Sequence, residues 1–491
     1  MSDPAAINEE TRRDFLTSSA SGLGAVALGS LLAQERLFPS IKATEPTPLP
    51  HTTSKAKACI FIFMAGAPSQ LDLFDPKPQL KALHGEKLPT SIINKARFAF
   101  IKPETATLMG SPRTFRKYGQ SGMELADILP HLGNVADELL LVRSMHSTEF
   151  NHHPGQLAMQ CGVSRFGMPS MGSWINYGLG SPSNNLPGYV VLTAGRGSSG
   201  GATLWQSGFL PSSYSGVLFR NQGEPVLNLK NPKGVTPSLQ AKTLETINAL
   251  NKVQYDHVRD PEIASRIKNF ELAGRMQTAA PELIDLSGET QATLDTYGVG
   301  RPEPKERNSR GTLGHLQTYD TFARNCLLAR RMVERGVRFV NIIHASWDAH
   351  SSLDREITYN AGAVDKPIAA LIKDLKQRGM LDETMVVWGS EFGRTPLGEN
   401  RPGRESNTGR DHHPMAYSMF LAGGGIKGGQ VYGKTDEIGW NTVENPVSVH
   451  DLHATMLHCF GINHRSLTYR FQGRDFRLTD VAGNVIPSWL V

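Results

Sequence analysis

Residues 366–396 read KPIAALIKDLKQRGMLDETMVVWGSEFGRTP. Apolar residues recur at helical spacing through KPIAALIKDLKQRG, and Gly379 supplies a C-terminal stop. After a short turn, TMVVWG (384–389) is an unbroken apolar run of strand length. The preceding segment has the same order: TFARNCLLARRMVERG stops at Gly336, and VRFVNIIH (337–344) follows as a strand. Successive helix–strand units imply right-handed crossovers and a mostly parallel sheet covered by helices. Near the start, ACIFIFMAG (58–66) is another apolar run, suited to a strand buried on both faces. The expected fold is α/β, a three-layer sandwich with a mostly parallel central sheet flanked by helices.

In open sheets of this kind, ligands bind beyond the carboxyl ends of the strands. The exit of the first strand is GAPSQLDLFDPKP, with Asp72 and Asp75. The strand at 337–344 leads into HASWDAH, with Asp348 and His350, and the strand at 384–389 into SEFGRTP, with Glu391 and Arg394. Later, GRDHHP carries His412 and His413 ahead of the apolar run MAYSMFLAGGG. Carboxylates and imidazoles are the ligands of Zn, Mn, Ca or Mg. A lone DxH in a loop is usually a solvated turn. Several such clusters at strand exits point instead to one shared metal site, holding one or two divalent ions.

Another polar stretch, SMHSTEFNHHPGQLAMQCG (144–162), offers Ser147 and Thr148 as hydroxyl groups. A hydroxyl beside a metal can lose its proton and attack phosphorus or sulfur. The alternative is an N-cap opening a helix through His152 to Met159, and the two roles are compatible because a helix N-terminus also attracts anions. No G-x-S-x-G elbow supports a serine triad. The glycine-rich GRGSSGG (195–201) lacks the ending of a phosphate loop, and CGVSR (161–165) has Val163 where a formylglycine element needs proline.

The chain has 491 residues, 39% hydrophobic and 20% charged, with a formal charge of +5. This is a soluble, globular composition, and the absence of a basic block argues against nucleic-acid binding. Four scattered cysteines form no CxxC pair and define no zinc site or dense disulfide framework. At the N-terminus, Arg12 and Arg13 precede a mildly apolar run reaching Ala33, which resembles a twin-arginine export signal. A retained anchor is the alternative, but serines, threonine and glycines make the run a poor lipid-facing helix. The expected layout is a leader at 1–33, a linker at 34–56, one domain at 57–480 with a loop or β insertion at about 178–235, and a tail at 481–491. Such a protein would reside in the periplasm or cell envelope, or be secreted, with no stable membrane span after signal cleavage.

The motif order is similar to that of the alkaline phosphatase and sulfatase superfamily. GMLDETMVVWGSEFG resembles its strand ending in SDHG, and TEFNHHPGQLAMQCG resembles the nucleophile segment of its nucleotide pyrophosphatase branch. More closely, the leader, GAPSQLDLFDPKP, WDAH, SEFGRTP and GRDHHP together resemble the bacterial family catalogued as domain of unknown function 1501. The resemblance implies an alkaline-phosphatase-like fold. It makes Thr148 the nucleophile beside Asn151 and His152, and Asp72, or else Asp75, the first metal ligand. Asp348 and His350 become ligands on the other side, Glu391 stands for the aspartate of SDHG, and His412 or His413 for the late histidine. Arg394 would meet the anionic group of a substrate or form a surface ion pair. Phe392 replaces the histidine of SDHG, so one metal, or two with altered shells, is expected. The implied activity is hydrolysis of an anionic small-molecule or glycan ester of phosphate or sulfate. A non-catalytic relative binding an anionic glycan or a cell-surface partner is the alternative, and a structural envelope protein a third.

Overall fold

A computed structural model describes residues 51–88, 101–102, 105–304, 317–399 and 409–491. Residues Thr52–Val491 form one compact unit. The leader expected at 1–33, and the linker up to residue 50, lie outside the described residues. No helix among the described residues is long and apolar enough to cross a membrane.

Among the described residues, the core is a nine-stranded sheet. Its strands are β1 (Ala58–Ala65), β2 (Leu139–His146), β3 (Tyr189–Ala194), β4 (Val217–Phe219), β5 (Phe339–Ala345) and β6 (Thr384–Gly389). A separate ribbon pairs β7 (Gly393–Gly398) with β8 (Arg410–His413). The sheet then continues with β9 (Tyr417–Ala422), β10 (Gln430–Tyr432) and the short β11 (Val447–Ser448). Across the sheet the order is β10-β2-β9-β6-β1-β5-β3-β4, with β11 also on β2. Only β9 runs antiparallel to its neighbours. The α/β class with a mostly parallel sheet is therefore what the sequence pattern implies.

Helices cover both faces. α5 (Thr318–Glu334) and α6 (Leu353–Gln377) pack their apolar residues against Ile60, Ile62 and Met64 of β1. On the other face, Gln160 of α1 (His152–Cys161) accepts from Asn341 of β5, and Gly172 of α2 (Met171–Leu179) lies against Tyr189 and Phe339. α7 (Val449–Cys459) joins α1 through a hydrogen bond from His453 Nε2 to the Met159 carbonyl, at 2.8 Å. β1 is buried along its whole length, as its continuous apolar run requires.

Three segments differ from the sequence reading. The stretch 178–235, expected as a loop or β insertion, contributes β3 and β4 to the edge of the main sheet itself. Its strands are short and lie among Gly, Ser and Pro residues that carry no periodicity. Beyond it, α3 (Pro237–Val258) and α4 (Pro261–Ile284) form a long pair, each started by a cap-and-proline signal. Thr236 accepts from the Leu239 N–H and Asp260 from the Glu262 N–H. Finally, the expected tail at 481–491 is part of the body, because Trp489 is fully buried and Leu490 pairs with Ile426.

Candidate metal centre

Strand register decides what meets at the site. β1 lies between β5 and β6, with Met64 opposite His344 and Phe63 opposite Gly389. The exits at Gly66, Ser346 and Ser390 are therefore neighbours. β9 runs the other way, so its first residue, Tyr417, faces Met145 at the end of β2. The GRDHHP segment before β9 and the loop after β2 thus reach the same edge. Loop backbone there is tightly bent: Ala67 and Ser346 have φ of 58° and 111°.

Four side chains converge at this edge: His152, Asp348, His350 and His412 each offer a ligand atom, all within 4.8 Å of one another. Asp348 Oδ1 lies 3.1 Å from His152 Nε2, 2.8 Å from His350 Nε2 and 3.3 Å from His412 Nε2. Each imidazole is held from behind. His152 Nδ1–H donates to Glu391 Oε1 at 2.7 Å, His350 Nδ1–H to Glu399 Oε2 at 2.5 Å, and His412 Nδ1–H to the Phe150 carbonyl at 2.7 Å. Such outer partners fix the ring orientation that turns Nε2 toward Asp348 and a shared ion.

The donor set fits a cation. With Nδ1–H committed to a carbonyl, a neutral His412 turns its bare Nε2 lone pair toward a carboxylate oxygen. Two acceptors facing each other repel unless a proton or a metal lies between them. A tetrahedral ion with bonds of about 2.0–2.2 Å spaces its ligands by about 3.3–3.6 Å, slightly wider than the 3.1, 2.8 and 3.3 Å between Asp348 Oδ1 and the three nitrogens. A second trio, His350, Glu399 and Asp411, is also compact and shares His350.

The electrostatics agree. Burial opposes the charge on Asp348, but Arg394 and the three imidazoles hold its carboxyl well below the usual range. Burial also opposes protonation of His152, yet Asp348 and Glu391 raise it to about 9. His412 is pushed down to about 4 by burial, helped by Arg394 and His152. Asp348 thus stays a carboxylate and His412 a neutral imidazole, the forms that bind a cation.

Arg394 is buried, with 1% exposure, so it is no surface ion pair. Its Nη2 donates to Asp348 Oδ1 at 2.8 Å and to the Gly66 carbonyl, Nε to the Ala67 carbonyl and Nη1 to the Arg410 carbonyl. Glu391 is buried and its Oε1 accepts from His152, Gln156 and the Gly66 N–H, while Oε2 accepts from Ser390.

Asp72, Asp75 and His413 are held by other partners. Asp72 pairs with the buried Arg410 at 2.8 Å and accepts from Ser69. Asp75 binds Thr435 and Lys77, and His413 Nε2–H donates to the Trp440 carbonyl. Thr148 is exposed on the loop between β2 and α1. Asn151 is the N-cap of α1, with no capping bond from its side chain. Phe392 stacks on His152 with ring centroids 5.1 Å apart and lies 4.9 Å from the His412 ring.

The protein family described as "Protein of unknown function (DUF1501)" matches residues 56–490. The chain belongs to this family. No curated protein matches it by sequence. Among solved structures, this DUF1501 protein matches Ps i-CgsB at 12% identity and a TM-score of 0.36, covering 84% of this chain and 72% of that one. The PsFucS1 sulfatase from Pseudoalteromonas sp. matches at 13% and 0.35, over 82% and 68% of the two chains. An alkaline phosphatase from the Antarctic bacterium TAB5 matches at 12% and 0.33, over 83% and 99%. Likeness at this level bears on neither activity nor ligand.

Sequence reasoning on the DUF1501 chain did not single out Glu399, Gln156 or Ser390, the residues behind the cluster. Glu399 lies 49 residues from the histidine it holds, and no local motif links the two.

Proposed function

We propose that this protein is an exported, divalent-metal-dependent hydrolase of phosphate or sulfate esters. The observation that carries the reading is the convergence of three imidazole Nε2 atoms on Asp348, each ring fixed by an acceptor behind it. His152, Asp348, His350 and His412 would hold one ion, and a nitrogen-rich set favours Zn over Mn, Ca or Mg. A bound ion of this kind supplies Lewis acidity toward an ester oxygen. Thr148, exposed four residues before His152, contributes the attacking hydroxyl. Its Oγ1 bonds to phosphorus or sulfur as the ester oxygen departs with a proton, and water then releases the threonine ester. Asn151 and the N-terminus of α1 meet the anion. The donors of Arg394 are committed to Asp348 and three carbonyls, which supports a positioning role. Export rests on the Arg12–Arg13 leader.

A second reading, binding of an anionic glycan or cell-surface partner without turnover, is favoured by Phe392. Its ring packs on His152 and His412 where the resembling superfamily has a metal-binding histidine. Metal-replete protein assayed on p-nitrophenyl phosphate, p-nitrophenyl sulfate and an ester library separates the two. The hydrolase reading predicts turnover that Thr148→Ala lowers by about 100-fold or more, the scale of losing a catalytic group, with metal content retained. Undiminished turnover in that variant removes the threonine assignment. No turnover by any metal-loaded sample supports the binding reading.

A further inference from the structure

A groove of about 550 Å³ opens between the segment that follows α1 and the Tyr469–Phe476 ribbon, a size that admits a small ligand. Phe166, Phe209 and Phe471 line it together with Arg165, Arg474 and Gln472. Phe166 is 65% exposed and Phe471 37% exposed. Phe166 meets the His153 ring edge-on, with centroids 4.9 Å apart, and His153 adjoins His152 of the metal group. The groove is therefore tied to α1 at the residue that follows the first histidine of the metal group.

Its aromatic rings are held firmly. Phe471 stacks on Phe209 at 5.2 Å and an interplanar angle of 16°. The ribbon bearing it pairs Tyr469–Phe471 with Arg474–Phe476 and turns through Gln472 and Gly473, with φ of 47° and 83°. Two central residues with positive φ make the tight hairpin turn that matches strand twist. Arg474 lies over the Phe476 ring, 4.8 Å from its centroid, and stays half exposed while pairing with Asp480. Arg165 is exposed, and among the described residues it forms no ion pair. Flat, fixed, exposed rings flanked by arginines are poorly suited to an apolar peptide, which would bury guanidinium charge unpaired.

We infer that this groove binds the sugar chain of an anionic glycan, presenting its ester to the metal group. Sugar C–H faces pack on the Phe166 and Phe471 rings, the Gln472 amide meets hydroxyls, and Arg165 and Arg474 meet neighbouring sulfate or phosphate groups. As a substrate subsite the groove rests on the ester-hydrolase reading, which it narrows to glycan esters.

The test is binding to an array of sulfated and phosphorylated glycans beside their unmodified counterparts. The full metal-loaded protein is compared with Phe166→Ala, the Phe166→Ala/Phe471→Ala double variant and Arg165→Ala. Wild type is expected to retain anionic glycans over neutral ones. The double variant should bind at least tenfold more weakly, and Phe166→Ala, which alters an exposed side chain, should show part of that loss. Metal content and melting temperature report folding of each variant. Glycan binding that depends on Phe166 and Phe471, in a wild type that holds no metal and cleaves no p-nitrophenyl ester, would keep the groove assignment and remove the hydrolase reading. No anionic glycan retained by wild type, or retention unchanged in the double variant, overturns the inference.

Discussion

Glu391 is buried at the end of β6 and accepts from His152, Gln156, Ser390 and the Gly66 N–H. Burial works against its charge, yet His152 and Ser390 hold its carboxyl below the usual range. A carboxylate so fully engaged acts by orienting His152. We expect Glu391→Gln to weaken metal affinity by about 10–100-fold, the usual effect of losing such an outer partner. Stoichiometry at saturating metal should be unchanged, as read by competition against a chromophoric chelator. Loss of one metal equivalent at saturation would instead make Glu391 a ligand. At this scale the sequence was informative about residue type and less so about partner. Asp348, His350 and His412 are legible as acids and imidazoles at strand exits. Asp72 looks equivalent on paper, yet it pairs with Arg410, 338 residues away, a choice that depends on side-chain direction after folding.

At the scale of elements, the site exists because β1, β5 and β6 end side by side and β9 begins at the same edge. Gly66 makes that junction close. A Cβ there would lie 2.7 Å from the Asp348 N atom, and its φ of +110° already disfavours a side chain. Gly66→Ala is expected to lower stability by about 1–3 kcal/mol, the range for such backbone strain, and to weaken metal binding by moving the Asp348 loop. Gly85→Ala is the comparison, because Gly85 has φ of +91° and nothing within 4 Å. It should lower the melting temperature without changing metal affinity, and equal metal affinity in both variants would contradict the account. The elements that frame the site were readable because α5, β5, α6 and β6 have long, clean apolar periods. β3 and β4 are short and fall among turn residues. The pair α3–α4 exposes Leu239, Leu250 and Val253, so its apolar pattern marks no clear face, and its capping prolines are the usable signal.

For the whole molecule, stability depends on histidines kept neutral in the core. His344 and His453 are fully buried, and burial pushes both down to about 3. His344 Nδ1 accepts from Trp347 Nε1–H, and among the described residues its Nε2 has no partner. The unfolded chain takes up these protons below pH of about 6.5, whereas the folded chain resists down to about 3. Stability should therefore fall as pH drops through that window, by up to about 1.4 kcal/mol per pH unit for each histidine. Melting curves from pH 7 to 4 check this, and His453→Gln, which keeps a donor for the Met159 carbonyl, should flatten the slope. An unchanged slope would place the acid response elsewhere. The central claim is that His152, Asp348, His350 and His412 hold a divalent ion. Elemental analysis of protein purified without chelator, beside a His350→Ala variant, tests it most directly. The account predicts about one equivalent of a divalent metal in the wild type, lost in the variant, as a four-ligand site deprived of one ligand requires. A wild type that holds no metal after add-back and dialysis would contradict it.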